Sequence, residues 1–397
     1  MGSGDDTRHH RRLRRTFGSS MTVERTDVIV VGAGLIGSSI AWRVAQNGRR
    51  VILLDRGEPG AEASTAAAGL LIPEAGIYDQ HDPALLRLWL TSLARYPSFV
   101  TEVREATGVT FEYRAPGHIV IAIDEIGEAM LRQRAAAQVT AGVRSNLISG
   151  EEVLRLEPAI NPATRLGLRF PDHALVDNAR LSAAVAQAAA RAGADVRAHE
   201  NVLSLDLNGG RIAGVRTLRG TISADIVVNA GGCWATQLTP WRAGLVGPSK
   251  GEMIALHAVP RPVEHLLSLP GATIGPRADG RIGVGATRID GDPSREVTAA
   301  GVARMLAMAT AMVPSLARAR FGSAWAGSRP LTPDNTPILG EDDEVAGLYW
   351  ATGHKGMGIL SAPTTSDLLA AAIEGQVPKL ALEPFGIGRF GRVGSRG

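Results

Sequence analysis

Residues 27–55 read DVIVVGAGLIGSSIAWRVAQNGRRVILLD, and the rest of the chain is organised around them. Val28 to Val31 is an unbroken β-branched run, the pattern of a strand buried on both faces of a parallel sheet. Gly32, Gly34 and Gly37 then spell G-x-G-x-x-G where strand should give way to helix. The first glycine permits a tight turn, the second a close approach of backbone to a pyrophosphate, and the third close packing of helix on strand. A helix is predicted over Ile36–Asn47, with Ile36, Ile40 and Val44 on one face and Gly48 ending it. Val51–Leu54 is the second strand, and Asp55 stands at its tip, placed to accept a hydrogen bond from a ribose hydroxyl. The glycine pattern alone is weak. Flanked by two strands and followed by an acid at this distance, it points to a bound dinucleotide.

A chain of 397 residues can hold two or three cores, and 45% hydrophobic with 20% charged residues is ordinary for a globular protein. The single cysteine, Cys233, excludes an internal disulfide and a cysteine-based zinc site, and fits a reducing, cytoplasmic location. The histidines show neither H-x-x-x-H nor H-E-x-x-H, so no metal is expected. No stretch reaches the ~18 apolar residues of a membrane span, so a soluble protein is expected. Residues 1–20 hold five arginines and two aspartates, a net +3 that equals the formal charge of the whole chain. The remainder is neutral, which argues against a nucleic-acid-binding face. No apolar segment follows Arg15, which argues against an export signal, and residues 1–25 are expected to be a disordered basic tail. The other class of reading is a non-catalytic dinucleotide-binding protein tethered to nucleic acid by this arginine-rich stretch.

Beyond Asp55, the small residues of Ala61–Gly76 suit either backbone approach to a bulky ligand or an alanine-rich core helix. Asp82–Thr107 is predicted helical, with Pro83 in the first turn and Leu86, Leu90 and Leu93 at helical spacing. Val109–Ile123 alternates around Pro116-Gly117 and is predicted to form a hairpin. Helices are expected over Glu125–Ala141, Glu151–Leu156 and Leu181–Ala192. Strands follow at Asp195–His199 and Val202–Leu207, then an Asn208-Gly209-Gly210 turn and a return strand Ile212–Leu218. A buried strand, Ala224–Asn229, runs into Ala230-Gly231-Gly232. Lys250–Leu256, Ala272–Pro276 and Gly280–Ala286 suggest a separate antiparallel sheet, followed by a helix over Ser294–Met312. A last strand, Gly347–Ala351, leads into GHKGMG at residues 353–358 and a helix to about Ile373. The fold class is therefore α/β, a Rossmann-like dinucleotide-binding domain interleaved with a smaller α+β domain built on a mainly antiparallel sheet. The first is expected over 26–108, 150–235 and 320–380, the second over 109–149 and 236–319, with 381–397 a C-terminal tail. A ligand cleft is expected between them.

Four separated stretches resemble one family, the FAD-dependent D-amino-acid oxidase family that includes glycine oxidase and sarcosine oxidase. They are VIVVGAGLIGSSIA (28–41), ASTAAAGLL (63–71), ADIVVNAGGCWA (224–235), and the pair AGSRPLTPDNTPILG (326–340) and ATGHKGMGIL (351–360). STAAAGLL, KGEMIAL and GSRPLTPD look most like the glycine oxidases of thiamine biosynthesis. The resemblance implies non-covalent FAD, with Gly32, Gly34, Leu35, Ile36 and Gly37 at its pyrophosphate and Asp55 and Arg56 at its ribose. Ala63, Ser64, Ala68, Gly69 and Leu70 would run along the cofactor, Val202 would meet the adenine and Gly231 the pyrophosphate. His354, Lys355, Gly356, Met357, Gly358 and Ile359 would line the flavin pyrimidine, where the N–H groups of a helix start favour the negative charge of reduced flavin. Read alone, GHKGMG also admits a glycine-rich loop without a ligand, the lesser of the two readings. Cys233 reads as a small buried residue rather than a flavin attachment point.

Arg329 is implied as the substrate residue, its guanidinium clamping a carboxylate with two parallel hydrogen bonds. The implied reaction oxidises the C–N bond of a small amino acid by hydride transfer to flavin N5, giving an imine and then an oxo acid. No side-chain acid or base is required. The chain departs from the glycine-oxidase pattern at Thr273, where that enzyme carries an aromatic hydroxyl residue, and at Gly356, where it carries an arginine. Both positions are expected at the substrate, and both leave a roomier, less polar pocket. A D-amino acid, cyclic imino acid or N-methyl amino acid is the alternative substrate. Oxygen or another acceptor takes the electrons, and a homo-oligomer is compatible.

Overall fold

The computed structural model describes residues 24–73, 82–285 and 287–391. Val28–Val31 and Val51–Leu54 are strands at the expected positions, all eight residues buried. They sit at the centre of a six-stranded sheet whose order is Asp195–Arg197, Val51–Leu54, Val28–Val31, Ile226–Asn229, Leu348–Thr352 and Ile338–Glu341. Every pairing is parallel except the last, an antiparallel edge. Helices Leu35–Gln46, Pro83–Thr107, Asn178–Arg191 and Gly358–Ile373 bury one face around Trp42, Tyr96 and Phe99. Asp82 caps the second of these, its carboxylate accepting from the Ala84 N–H at 2.8 Å with Pro83 at the first position. The other face packs against a four-stranded sheet made by Glu24–Arg25, Val202–Asn208, Arg211–Thr217 and Gly220–Ser223. Thus residues 24 and 25, expected in the tail, form a strand beside Ile222 and Ser223. The arginine-rich stretch 1–20 lies outside the described residues.

The second large sheet has nine strands and is antiparallel except where Leu266–Leu269 runs parallel to His118–Ala122. Gly247–His257 and Arg320–Leu331 form its longest pair. Helix Ala299–Met312 covers one face through Met305, Ala309 and Met312. Sheet membership departs from the expected division at two segments. Leu166–Phe170 pairs with His118–Ala122, and Arg320–Leu331 with Gly247–His257, so both belong to this sheet although the sequence reading placed them in the first domain.

Three further expectations are corrected. Val109–Ile123 is not a hairpin: Tyr113–Arg114 pairs with Ala174–Val176 in a three-stranded sheet, and His118–Ala122 enters the nine-stranded one. Gly117, at φ +81°, is the corner where the chain changes sheets. In helix Pro83–Thr107 the core stripe is Leu85, Leu88, Trp89, Tyr96, Phe99 and Val103, with Leu86, Leu90 and Leu93 on its half-buried flank. The expected C-terminal tail is docked as far as residue 391, with Phe385 and Ile387 buried and Arg389 paired to Asp334 at 2.7 Å.

Candidate functional site

Each glycine of the motif solves a different steric problem. Gly32 has φ +101°, and a Cβ there would lie 2.5 Å from the Ala230 carbonyl oxygen. Gly37 lies where the helix crosses the turn, and a Cβ would meet the Gly32 oxygen at 1.9 Å. Gly34 differs, because the nearest protein atom to its Cβ would be Ser64 Oγ at 3.3 Å. Its backbone faces a cavity of about 800 Å³ between the two large sheets. Gly34 and Ile36 line that cavity at the helix start, while the Leu35 N–H donates to Ser64 Oγ at 2.9 Å. Free N–H groups at a helix N-terminus suit a phosphate anion.

The segment Ala63–Leu70 runs along the cavity wall. Only Ala63–Ala66 is helical, with none of those residues buried, so the reading as an alanine-rich core helix fails. Three side chains pin the backbone: Asn178 Nδ2 donates to the Ser64 carbonyl at 2.6 Å, Trp325 Nε1 to Ala66 at 3.0 Å, and Arg277 Nη2 to Ala68. A Cβ on Gly69, at φ +69°, would strike the Val176 oxygen at 2.2 Å and Arg277 and Asn178 at 2.7 Å. Arg277 also donates to the Val176 carbonyl at 2.7 Å. The one trace of this role in the sequence is the strand-end tripeptide Gly275-Pro276-Arg277, which sets a cation where a strand leaves the sheet.

Of the residues expected at the cofactor, all but Gly37 line the cavity. Gly37 serves the turn behind it. At one end Asp55 accepts from the N–H groups of Ala33 at 2.6 Å and Gly57 at 2.8 Å, while burial raises its carboxyl above the usual range. Arg56 pairs with Glu62 at 2.9 Å and lies over the Trp234 ring. At the other end, the chain turns through Lys355 at φ +52° into helix Gly358–Ile373. His354 is buried beside Thr365 Oγ1 at 3.2 Å, and burial pushes its imidazole down to about 4, so it is neutral near pH 7. Tyr96 donates to the Ile359 carbonyl at 3.0 Å and holds the first turn of this helix.

Arg329 enters from the nine-stranded sheet and faces the same cavity. Two glycines make room for it. A Cβ on Gly251 would lie 2.1 Å from Nη2, and one on Gly356 would lie 3.7 Å from Cδ. Among the described residues its hydrogen bonds are long, 3.4 Å to the Lys250 carbonyl and 3.3 Å to that of Thr287. Burial and the neighbouring Arg288 both weigh against its charge, and Asp290 offsets only part of this. The arrangement suits an incoming carboxylate.

Thr273 also lines the cavity, but it is tied into a chain that the sequence did not disclose. Its Oγ1 lies 2.8 Å from Ser268 Oγ, which lies 2.8 Å from His118 Nε2. His118 and Ser268 come from strands 150 positions apart, so only the parallel pairing of those strands reveals them as neighbours. No group of three or more potential metal ligands occurs among the described residues. None of the described helices is long and apolar enough to cross a membrane.

Cys233 lines the cavity too, and burial with the nearby Glu62 pushes its thiol up to about 11. A protonated thiol is a poor nucleophile. Acid precipitation of the holoenzyme should therefore release all flavin to the supernatant, and native Cys233 should react with iodoacetamide at pH 7.5 far more slowly than in urea. Flavin retained in the pellet would contradict non-covalent binding.

The residues fit FAD on these structural grounds: glycines whose Cβ positions are filled or face the cavity, a helix start open to it, and a continuous cavity of dinucleotide size. The chain is 34% identical to a glycine oxidase of Geobacillus kaustophilus over 377 residues, 93% of this chain and 99% of that one. The crystal structure of the Geobacillus kaustophilus glycine oxidase superposes with a TM-score of 0.87 at 33% identity, covering 92% of this chain and 99% of that one. An iminodiacetate oxidase from Chelativorans sp. superposes with a TM-score of 0.82 at 29% identity, covering 90% and 98%. Residues 27–372 match the DAO family, FAD dependent oxidoreductase, and the chain belongs to that family.

Proposed function

We propose that the protein oxidises the C–N bond of a small amino acid, glycine-oxidase-like, with oxygen as electron acceptor. The observation that carries this reading is Arg329, a half-buried guanidinium that makes no short hydrogen bond among the described residues and faces the cavity beside Gly356. FAD, when bound, supplies the two-electron acceptor. The chain's own residues do the rest. Arg329 binds the substrate carboxylate and fixes which way the Cα–H points. The start of helix Gly358–Ile373 presents its positive end where negative charge develops. Met253, Ile72 and Trp89 line the cavity with apolar surface and keep water from the reacting carbon.

A larger or N-substituted amine is a second reading, favoured by the short Thr273 side chain and the missing one at Gly356. Anaerobic mixing of the holoenzyme with glycine, sarcosine, D-alanine and D-proline tests both. Flavin bleaching by at least one of them is expected, and the ranking separates the two readings. Readmitted oxygen should restore the yellow colour within seconds. A flavin that none of these amines bleaches would overturn the proposal, and slow reoxidation would overturn oxygen as the acceptor.

A further inference from the structure

In the wall segment Ser64–Gly69 the two kinds of backbone group have different fates. Its carbonyls are taken by protein donors. Asn178 Nδ2 reaches those of Ser64 and Thr65 at 2.6 and 3.1 Å, and Trp325 Nε1 that of Ala66 at 3.0 Å. Arg277 Nη2 takes that of Ala68, and the Val176 N–H that of Gly69 at 2.8 Å. The N–H groups of Ala67, Ala68 and Gly69 donate to no described acceptor, although all three residues line the cavity and Gly69 is buried. In a trans peptide the C=O and the following N–H point opposite ways. Trp325, by holding the Ala66 carbonyl, therefore fixes the direction of the Ala67 N–H, and Arg277, through Ala68, that of Gly69. A buried N–H left without an acceptor is costly, so this row is built to meet one from the cavity.

Arg277 stands behind the row, outside the cavity lining. It follows strand Ala272–Pro276 of the nine-stranded sheet, and Trp325 belongs to Arg320–Leu331 of the same sheet, so both pins reach across from the other large sheet. A Cβ on Gly69 would lie 2.7 Å from Arg277 Nη2, which puts the guanidinium directly against the row. Its charge is only partly answered. Glu112 lies 4.0 Å away and is engaged more closely by Arg114, at 2.8 Å. Burial weighs against the charge, and Glu112 and Asp177 offset part of this. Positive potential is thus left at the N–H row.

We infer that Arg277 is a positioning residue for the flavin, one that fixes the Gly69 N–H toward the ring system and, with its own charge behind, stabilises the negative charge the ring gains on reduction. The inference rests on the reading that places Ala63–Leu70 along the cofactor. A carbonyl turned into the cavity at Ala68 would do the opposite, and Arg277 is what prevents that turn. Helix Gly358–Ile373 acts on the ring from a separate element, so loss of Arg277 weakens the effect without abolishing it.

The test needs no turnover. Sulfite adds through its sulfur lone pair to oxidised flavin N5 and leaves negative charge on the ring, so its affinity and the midpoint potential read the same stabilisation. In the holoenzyme, Arg277→Met should weaken sulfite roughly tenfold or more and lower the two-electron potential by about 30 mV or more, the equivalent factor, with flavin still bound. Arg277→Lys should recover part of both, since it returns the charge without the paired bonds. Trp325→Phe removes only the donor to Ala66 and should weaken sulfite about threefold, which covers an Arg277 variant that does not fold or loses its flavin. Wild-type sulfite affinity and potential in the variants that keep flavin would overturn the positioning role, as would a wild type that takes up no sulfite. Amide hydrogen exchange of the wild-type apoprotein with and without FAD checks the placement itself, with protection of Ala67–Gly69 expected on binding. Protection there with an unmoved potential sinks Arg277 alone. No protection sinks the placement of the cofactor, and the inference with it.

Discussion

Replacing Gly34 by valine should give a folded protein that no longer retains FAD, with affinity reduced roughly a hundredfold or more, about 3 kcal/mol. The expectation comes from what a side chain at residue 34 would meet. The nearest protein atom is Ser64 Oγ at 3.3 Å, a hydroxyl that can give by a few tenths of an ångström, and beyond it lies the cavity. The polypeptide can therefore accommodate the change, whereas a pyrophosphate against that backbone cannot. Gly37→Val supplies the contrast. Its Cβ would lie 1.9 Å from the Gly32 backbone oxygen, so the turn itself must open. That variant should lose stability as well as flavin, by the few kcal/mol usual for overpacking at a rigid position. Flavin content from the visible spectrum and melting of the flavin-free proteins separate the two. Gly34→Val should melt with flavin-free wild type and Gly37→Val well below it. A Gly34 variant purified yellow, with full flavin occupancy, would mean the helix start is not where the phosphates lie.

The contrast also marks what the sequence could disclose. Local patterns carried the nucleotide half well. The β-branched run Val28–Val31 reads as a doubly buried strand and is one, and the glycines after it have steric reasons readable one residue at a time. Alternation was a poorer guide where the chain changes partners. Tyr113–Arg114 and His118–Ala122 alternate as a hairpin would, yet they belong to different sheets, because period-two patterning states which face is buried and not which strand is adjacent. The missed site residues share that cause. Ser268 and His118 are single polar positions inside apolar strands, and each looks incidental until the parallel pairing of Ser268 with Val120 sets them on one face. Arg277 likewise looks like a turn cation until its guanidinium is seen holding the carbonyls of Ala68 and Val176. Arg329 was legible through the resemblance of the AGSRPLTPD stretch, and its desolvation emerged only in three dimensions.

Arg329→Ala should raise KM for an amino-acid substrate roughly a hundredfold or more, while FAD content stays that of wild type. Two charge-assisted hydrogen bonds to a buried carboxylate contribute about 1.5–3 kcal/mol each, and removing both leaves the substrate anion desolvated and unanswered. The same change tells a substrate-binding arginine from a structural one. A structural arginine would be held by short bonds, and its loss would destabilise the fold. Arg329 instead keeps, among the described residues, hydrogen bonds of 3.3 and 3.4 Å to two carbonyls, with burial and Arg288 both disfavouring its charge. Taking such a charge away relieves repulsion and desolvation, so the substrate-free variant should melt at the wild-type temperature or slightly above it. Arg329→Lys should recover only part of the loss, since an ammonium cannot make the paired bonds of a guanidinium. Acetate or another simple carboxylate should raise the melting temperature of wild type and leave that of the alanine variant where it was. An alanine variant that melts several degrees lower with KM unmoved would turn Arg329 into a piece of scaffold and leave the carboxylate without its clamp.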